Sequence, residues 1–119
     1  MELLSENRLI VKLEEVDSTN NYLKKLVHEQ HPEEGSMVIA DYQSEGRGQM
    51  GNGWTSEEGK NLLLSLLIYP DNLMANEQFI ISRIASLAVK NCLDQFVDDI
   101  RIKWPNDIVI SKKKICGIL

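Results

Sequence analysis

The chain has 119 residues, enough for about one domain, and its 43% hydrophobic and 26% charged residues are typical of a folded globular protein. Its net charge of −5 argues against general nucleic-acid binding, so we expect no DNA partner. No apolar run reaches membrane-spanning length and the N-terminus lacks a secretion signal, which predicts a cytoplasmic protein with no membrane partner and with Cys92 and Cys116 as free thiols.

Strand and helix patterns alternate along the first third of the chain. Residues 8–16 are predicted to form a strand, since Leu9, Val11 and Leu13 recur at every second position. Residues 17–20 are helix-capping types, so a helix should follow to about residue 30. Its buried stripe is predicted to consist of Tyr22, Leu23, Leu26 and Val27. A second strand is predicted at 36–42, after a helix-breaking segment.

The middle of the chain combines a glycine-rich segment with a strand and a long helix. Residues 43–60 are polar and contain five glycines, and the apolar run 61–69 is predicted to be a strand near the centre of a sheet. Residues 76–97 are predicted to form the longest helix. Its sheet-facing side should consist of Phe79, Ile80, Ile84, Leu87, Ala88, Cys92 and Leu93.

The C-terminal part is predicted to contain three short strands. Residues 100–104 alternate, with Ile100, Ile102 and Trp104 on one face, and 108–110 and 115–119 should form a hairpin around 111–113. Residues 101–119 hold five basic residues and one acidic residue. This charge could hold an anion, but lysines on a solvated turn also explain it, and charge alone favours the turn.

Residues 46–54 are the strongest candidate for ligand binding. Repeated glycines let the backbone approach a ligand and can direct N–H groups at an anion. Arg47 could contact a carboxylate or phosphate, and Trp54 offers a stacking face. The spacing also fits a dinucleotide fingerprint, but that motif needs a helix to open among the glycines, and turn and strand residues follow here. A flexible loop without a ligand is the other alternative, and we favour a lid that closes over a substrate.

Two other polar groups have both a structural and a ligand-binding interpretation. Capping explains one or two of residues 17–20, but Ser18, Thr19 and Asn20 together could bind a polar head such as a ureido group. Gln43 is either a loop residue or another donor and acceptor for a ligand. The residues alone leave both questions open.

The segment 103–107 and Lys114 are also ambiguous. A charged strand face and a turn cap explain the segment, whereas Asn106 could be a polar ligand contact and Asp107 a magnesium or nucleotide ligand. Lys114 is ordinary in a turn, but in a pocket it would contact an anion. His28 and His31 are interpreted as surface residues, and no set of metal-binding residues is predicted.

Taken in order, these segments resemble the biotin–protein ligases, also called biotin–[acetyl-CoA-carboxylase] ligases. The similarity begins near residue 8 and is carried by residues 17–20, 42–48, 54, 103–107 and 114–119. It implies an α/β fold of the α+β type, with a mixed, largely antiparallel sheet and packed helices, related to class II aminoacyl-tRNA synthetases. The implied domain, 1–119, is the N-terminal portion of the catalytic domain. Because the rest of that domain and a small C-terminal β-barrel are absent, we expect a truncated chain with weak or no activity alone.

The resemblance also implies a reaction and its residues. The family converts biotin, ATP and Mg²⁺ to biotinyl-5′-adenylate and transfers biotin to a lysine of a biotin carboxyl carrier protein, and its members often form homodimers. The implied catalytic residues are Arg47 and Lys114. The implied biotin-binding residues are Ser18, Thr19, Asn20, Gln43, Gly46, Arg47, Gly48, Gln49, Lys114 and Gly117. The implied ATP-binding residues are Arg47, Trp54 and Asn106.

The chain departs from the family pattern at two loop positions, and two other functions remain open. Gln49 and Asn52 stand where the family commonly has arginines, so we expect weaker retention of the adenylate. A lipoate or octanoate ligase or transferase shares the fold but would not need the polar residues 18–20. A non-catalytic biotin-binding domain would bind biotin without releasing pyrophosphate.

Overall fold

The computed structural model describes the backbone of residues 2–3 and all of residues 7–119. The chain divides into two compact units, Met1–Pro70 and Asp71–Leu119. Each unit has its own sheet and one α-helix. Among the described residues, neither α-helix combines the length and apolarity needed to cross a lipid bilayer.

The first unit is a four-stranded sheet with one helix. Its elements are β1 (Glu2–Leu3), β2 (Leu9–Val16), α1 (Thr19–Gln30), β3 (Met37–Gln43) and β4 (Leu63–Leu66). The strands lie in the order β1-β2-β3-β4. β2 and β3 are parallel and are connected through α1, whereas the two outer pairs are antiparallel. The predicted mixed sheet is therefore confirmed, with β1 as a strand that the sequence did not predict.

The core of the first unit lies between α1 and one face of this sheet. Leu23 and Leu26 of α1 pack with Val11 and Val38, as the two periodic patterns predicted. The strand register continues this inward face from Val38 to Ser65 of β4. The hydroxyl of Ser65 therefore lies among apolar side chains, on the edge strand that follows the glycine-rich segment in the sequence.

The prediction that residues 61–69 lie centrally in a sheet is wrong. β4 is shorter and forms the edge of the four-stranded sheet. Leu63 and Ser65 are buried, but Leu64 and Leu66, which point to the opposite face, are 44% and 48% exposed. An apolar composition predicts burial of a strand without specifying its neighbours, which explains the error.

The second unit is an antiparallel sheet with one helix. A short 3₁₀ helix (Ala75–Glu77) precedes α2 (Gln78–Leu93), which is followed by β5 (Ile100–Lys103), β6 (Asp107–Ile110) and β7 (Lys113–Gly117). The sheet order is β5-β6-β7. Ser111 and Lys112 connect β6 and β7 with φ values of 48° and 68°. Two positive φ values match the twist of a tight hairpin, which confirms the predicted turn.

The predicted packing face of α2 is wrong for six of its seven residues, and only Leu93 is partly buried. Ile84 and Leu87 are 59% and 52% exposed, and Phe79, Ile80 and Cys92 are also exposed. The more buried side chains instead follow a four-residue spacing and comprise Ile81, Ala85, Ser86, Val89 and Leu93. Apolar residues surround most of this helix, so periodicity alone could not identify the packed face.

The predicted common face of Ile100, Ile102 and Trp104 is only partly correct. Ile100 is buried and Ile102 half-buried, but Trp104 is 70% exposed. β5 ends at Lys103, so the alternation of a strand no longer applies at Trp104. The Trp104 ring instead contacts Phe79 of α2, with 5.1 Å between the ring centroids.

Candidate functional site

The topology of the first unit brings Gln43 to the beginning of α1. β2 and β3 are parallel, with Val16 opposite Gln43, so both strands end at the same edge. α1 begins immediately after β2, and Ser18 caps it by accepting a hydrogen bond from the Asn21 N–H. A residue at the end of β3 therefore meets the first helical turn, as is common for ligand sites in α/β proteins.

Thr19 determines the orientation of the Gln43 amide. The backbone N–H of Thr19 donates to Gln43 Oε1 over 2.8 Å, and its hydroxyl donates to the same oxygen over 3.0 Å. Because a backbone N–H can only donate, the oxygen of Gln43 must face Thr19. Its Nε2 group faces elsewhere and makes no hydrogen bond within the part of the chain that the structure describes.

Ser65 extends this polar group into the sheet. Its hydroxyl lies 2.8 Å from the Thr19 hydroxyl and also contacts Asn20 Oδ1. Ser18, Thr19 and Ser65 are 3%, 4% and 6% exposed, so the contact between the Thr19 and Ser65 hydroxyls and the helix cap by Ser18 are largely shielded from water. We call Ser18, Thr19, Asn20, Gln43 and Ser65 the polar cluster.

The structure brings together the four predicted polar residues of the first unit and adds Ser65, which was not predicted from the sequence. A hydroxyl at an inward position of the apolar run 61–69 was the available signal. A buried hydroxyl requires a partner, so its position on the strand pointed to a polar neighbour. The role of these residues in binding remains a prediction.

Residues 46–48 and 52–54 of the glycine-rich segment pair with each other and form what we call the glycine stem, and Gln49–Gly51 form its tip. The Trp54 N–H donates to Gly46 O over 2.9 Å, and the Gly48 N–H donates to Asn52 O over 2.7 Å. Arg47 and Gly53 form a bridge between the two sides. The Gly48 N–H is therefore used inside the loop, whereas the expectation that N–H groups of the other glycines point at an anion remains a prediction. No α-helix opens among the glycines, so the dinucleotide alternative is also wrong.

Gly46 joins the stem to the polar cluster through a close approach. A Cβ atom at this position would lie 2.4 Å from Trp54 O and 3.0 Å from Gln43 Nε2. The first distance is far below any van der Waals contact, so a side chain at residue 46 would push the two sides of the stem apart. Glycine is therefore required here because of space, with no need for an unusual backbone conformation.

An open cleft of about 270 Å³ lies at the junction of β3 and the glycine stem. Its lining comprises Tyr42, Gln43, Ser44, Glu45, Gly46, Gly53, Trp54, Thr55 and Ser56. Gln43, predicted to bind biotin, and Trp54, predicted to bind ATP, thus border the same cleft. Ser18, Thr19 and Asn20 do not line it, and Thr19 connects to it through its hydrogen bonds to Gln43.

Arg47 contacts the first turn of α1. Its Nη2 donates to Asn21 Oδ1 over 2.5 Å, and Asn21 Nδ2 donates to Asp17 Oδ2 over 3.1 Å. The other Asp17 oxygen accepts from the Ser18 N–H over 2.6 Å. The hydrogen bond from Asn21, the Ser18 N–H and the charge of Arg47 lower the pKa of the Asp17 carboxyl. Asn21 was not predicted, since one asparagine on a helix surface carries no signal of its own.

The predicted residues of the second unit lie around β6 and β7. Asp107 pairs with Gly117 across the two strands, and the Lys114 ammonium is 2.9 Å from Asp107 Oδ1. The Asn106 side chain donates to Ile118 O, and the Ile118 N–H donates back to Asn106 O over 3.2 Å. The structure thus groups Asn106, Lys114 and Gly117, with Asp107 partly neutralising the lysine.

Two further observations concern the chemistry of this second group. Cys92 and Cys116 are both free cysteines. Burial raises the pKa of the Cys116 thiol. Among the described residues no three His, Cys, Asp or Glu side chains converge to hold a metal ion. Asp107, for which a magnesium or nucleotide contact was one of the open alternatives, has one oxygen engaged by Lys114.

Comparison with known proteins identifies the family. Residues 13–119 match the profile of the Biotin/lipoate A/B protein ligase family. The chain belongs to this family. Among curated members of the biotin/lipoate A/B ligases, it is 38% identical over 106 residues to the bifunctional ligase/repressor BirA of Bacillus subtilis, a match that covers 87% of this chain and 32% of that protein. It is 32% identical over 118 residues to the biotin–protein ligase of Homo sapiens, covering 94% of this chain and 16% of the human protein.

Solved structures of biotin protein ligases share the fold. The ligase of Leishmania major in complex with biotinyl-5-AMP superposes with a TM-score of 0.79 at 28% identity, over 93% of this chain and 51% of that one. The ligase of Aquifex aeolicus in complex with biotin and ATP gives 0.78 at 33% identity, over 93% and 45%. The predicted family and fold class are therefore confirmed. The chain spans about a third of the first BirA relatives and about half of these solved chains.

Proposed function

We propose that this family member binds biotin, activates it with ATP as biotinyl-5′-adenylate, and transfers it to a lysine of a biotin carboxyl carrier protein. The observation that carries the proposal is the polar cluster at the entrance of α1. It presents Gln43 Nε2, which makes no hydrogen bond within the described part of the chain, on an amide whose oxygen accepts from the Thr19 N–H and hydroxyl. Relatives that are biotin ligases, and solved neighbours that hold biotin or its adenylate, support the same ligand.

The polar cluster favours biotin over lipoate within this family. The ureido group of biotin has one carbonyl oxygen and two N–H groups, so it needs both donors and acceptors. Gln43 Nε2 supplies a donor, and the Ser18 hydroxyl, which accepts from the Asn21 N–H, keeps its own proton to donate and a second lone pair to accept. The dithiolane ring of lipoate and the octanoyl chain offer no such groups, and burial of unused polar groups against them would be unfavourable.

The proposed reaction has two balanced steps. A biotin carboxylate oxygen attacks the α-phosphorus of ATP and pyrophosphate leaves, and then the neutral carrier lysine amine attacks the biotinyl carbonyl, AMP leaves, and the amine proton passes to solvent. Because the first step joins two anions, cationic groups at the reacting atoms lower its barrier. We assign this role to Arg47 and Lys114, with Gly46, Gly48, Gln49 and Gly117 as further biotin-binding residues, and with Trp54 and Asn106 on the nucleotide.

Magnesium fits this proposal as a companion of ATP. Mg²⁺ is usually held by substrate phosphates and one or two carboxylates, so it does not need a cluster of protein ligands. Asp107 has one oxygen beyond its contact with Lys114 and could supply such a carboxylate. The bound ion would neutralise phosphate charge, and the transfer steps themselves depend on the residues named above.

Titration calorimetry with biotin, lipoate and octanoate tests the ligand directly. We expect saturable binding of biotin and none of the other two acids. The outcome that contradicts the proposal is tighter binding of lipoate or octanoate than of biotin. A matched variant, Thr19→Val, keeps the side-chain volume and removes the hydroxyl, and it should weaken biotin binding by roughly tenfold.

A pyrophosphate-release assay separates a ligase from a domain that only binds biotin. Mg-ATP and biotin are added to the protein, with and without an acceptor carrier domain. Release of pyrophosphate that depends on biotin supports the proposed activation step. Biotin binding without any release from the full-length protein would favour the binding-only function.

A further inference from the structure

Arg47 is held by a residue to which the proposed function gives no role. Its guanidinium donates to Asn21 Oδ1 over 2.5 Å, although the two residues are 26 positions apart. Asn21 lies in the first turn of α1, and its backbone N–H donates to the hydroxyl of Ser18. The loop arginine is therefore attached to the same helical turn that carries the polar cluster.

Asp17 determines which end of the Asn21 amide faces Arg47. A carboxylate can only accept hydrogen bonds, so the amide nitrogen must face Asp17, and the distance between Nδ2 and Oδ2 is 3.1 Å. The amide oxygen is then directed at the guanidinium. Asp17 is held in turn by the Ser18 N–H. A neutral amide thus connects an acidic residue to a basic one in a fixed orientation.

The backbone of Arg47 is restrained as well. It forms the bridge with Gly53, and Gly46 and Gly48 on either side make hydrogen bonds across the stem. A long arginine side chain loses considerable rotamer entropy when a ligand orders it. An arginine that is already held on both its backbone and its side chain has incurred that cost before the ligand arrives.

We propose that Asn21 is a positioning residue that holds the Arg47 side chain at the entrance of α1 and thereby raises the affinity for the carboxylate end of the ligand. The identity of that ligand rests on the proposed function. The attachment of Arg47 to Asn21 does not, so the two ideas can fail separately.

Limited trypsin digestion of the full chain tests the attachment, because trypsin cleaves after Arg47. Asn21→Leu removes the acceptor at similar volume, whereas Asn21→Asp loses the hydrogen bond to Asp17 but keeps an acceptor for the guanidinium and adds a charge that attracts it. We expect cleavage of the Arg47–Gly48 bond to become roughly threefold to fivefold faster in Asn21→Leu and to stay near the wild-type rate in Asn21→Asp. Asn61→Leu, which removes another exposed side-chain amide, should leave the rate unchanged.

Cleavage after Lys24 and Lys25 in α1 serves as an internal control in the same digests. A purely structural role of Asn21 in the helix would accelerate these sites together with Arg47. An unchanged rate at Arg47 in Asn21→Leu, or an equal increase at all three sites, would overturn the proposal. So would cleavage of Asn21→Asp as fast as that of Asn21→Leu.

Biotin titrations of a double-mutant cycle test the consequence for affinity. Asn21→Leu should lower the affinity by roughly threefold to fivefold in the wild-type background and have no further effect when Arg47 is already alanine. An equal loss in both backgrounds would show that Asn21 acts independently of Arg47 and would contradict the proposal. Failure of the wild type to bind biotin would instead overturn the proposed function, while the digests still decide whether Asn21 holds Arg47.

Discussion

Thr19 sets the polarity of the candidate site through two hydrogen bonds to one oxygen. Its backbone N–H and its hydroxyl both donate to Gln43 Oε1, which leaves Gln43 Nε2 as the group presented to a ligand. Ser65, on the edge strand of the sheet, supports this arrangement through its contact with the Thr19 hydroxyl. The specificity that we propose for biotin therefore depends on a chain of neighbouring contacts that begins in the sheet.

Ser65→Ala should weaken biotin binding as well as the fold. Loss of one buried hydrogen-bonding group should reduce the free energy of unfolding by about 1 kcal/mol. Because Thr19 and Asn20 lose a partner, biotin affinity should also fall, by roughly tenfold. Ser86→Ala is the control, since this buried serine donates to Ser82 O in α2 of the other unit and should leave biotin affinity unchanged. Equal effects of both variants on affinity would contradict the assignment of Ser65.

The carboxyl of Asp17 should titrate below the ordinary range of an aspartate. Its pKa is lowered first by the hydrogen bond from Asn21 and then by the Ser18 N–H. A lowered pKa in the folded state means that the contribution of Asp17 to stability is complete above the ordinary pKa and is lost as pH falls through the lowered one. In Asn21→Leu, carbon-13 NMR should show a higher pKa for Asp17. An unchanged value would contradict the contact.

Residues of the candidate site could be predicted from the sequence where several polar residues lie close together in the chain. Ser18, Thr19 and Asn20 exceeded what a helix cap needs, and Gln43 ended a strand, so a shared polar site was a reasonable hypothesis. Asn21 and Ser65 were missed for different reasons. Asn21 acts through contacts to residues far along the chain, and Ser65 acquires its role only from the strand register.

At the level of elements, the glycine stem and the end of β3 form one structural unit. Gly46 allows the stem to lie against Gln43, with no room for a Cβ atom between Gln43 and Trp54. Gly53, on the other side of the stem, has space, since a Cβ there would lie 3.9 Å from Gly46 O. The two glycines therefore provide a matched pair for mutation.

Gly46→Ala should disrupt the cleft, whereas Gly53→Ala should not. The added methyl at residue 46 forces the Trp54 backbone away, so we expect a change in the tryptophan emission spectrum and a loss of at least roughly tenfold in biotin affinity. Gly53→Ala should behave like the wild type in both measurements. If the two variants bound biotin equally well, the close approach at Gly46 would have no functional meaning.

Secondary structure was predictable where one periodic pattern excluded the others. The alternation in β2, the capping residues before α1 and the hairpin of β6 and β7 all led to the observed elements. The position of β4 and the packed face of α2 were predicted wrongly. Both segments are apolar on more than one side, so the choice of neighbour depends on tertiary packing that a local pattern does not contain.

At the level of the whole molecule, both units expose sizeable apolar side chains. Leu64 and Leu66 are about half exposed on β4, as are Ile84 and Leu87 on α2. Apolar surface of this kind favours association. The predicted homodimer remains a prediction, and a test of self-association addresses it.

We expect sedimentation velocity to show concentration-dependent association of the 119-residue chain. The double variant Leu64→Lys and Leu66→Lys should weaken it, because charged side chains on an edge strand disfavour pairing. Asn61→Lys adds a charge at an exposed position before the strand and is the control. A monomer at every concentration would contradict the expectation, as would association that the double variant leaves unchanged.

A biotin titration followed by the side-chain amide signal of Gln43 in the nitrogen-15 NMR spectrum tests directly whether Gln43 contacts biotin. We predict that this signal shifts with increasing biotin until it reaches saturation, and that lipoate does not shift it. Thr19→Val, which removes one of the two hydrogen bonds that orient the amide, should reduce the shift at equal biotin concentration. Saturable biotin binding with no change at Gln43, or a response to lipoate equal to that for biotin, would contradict the account.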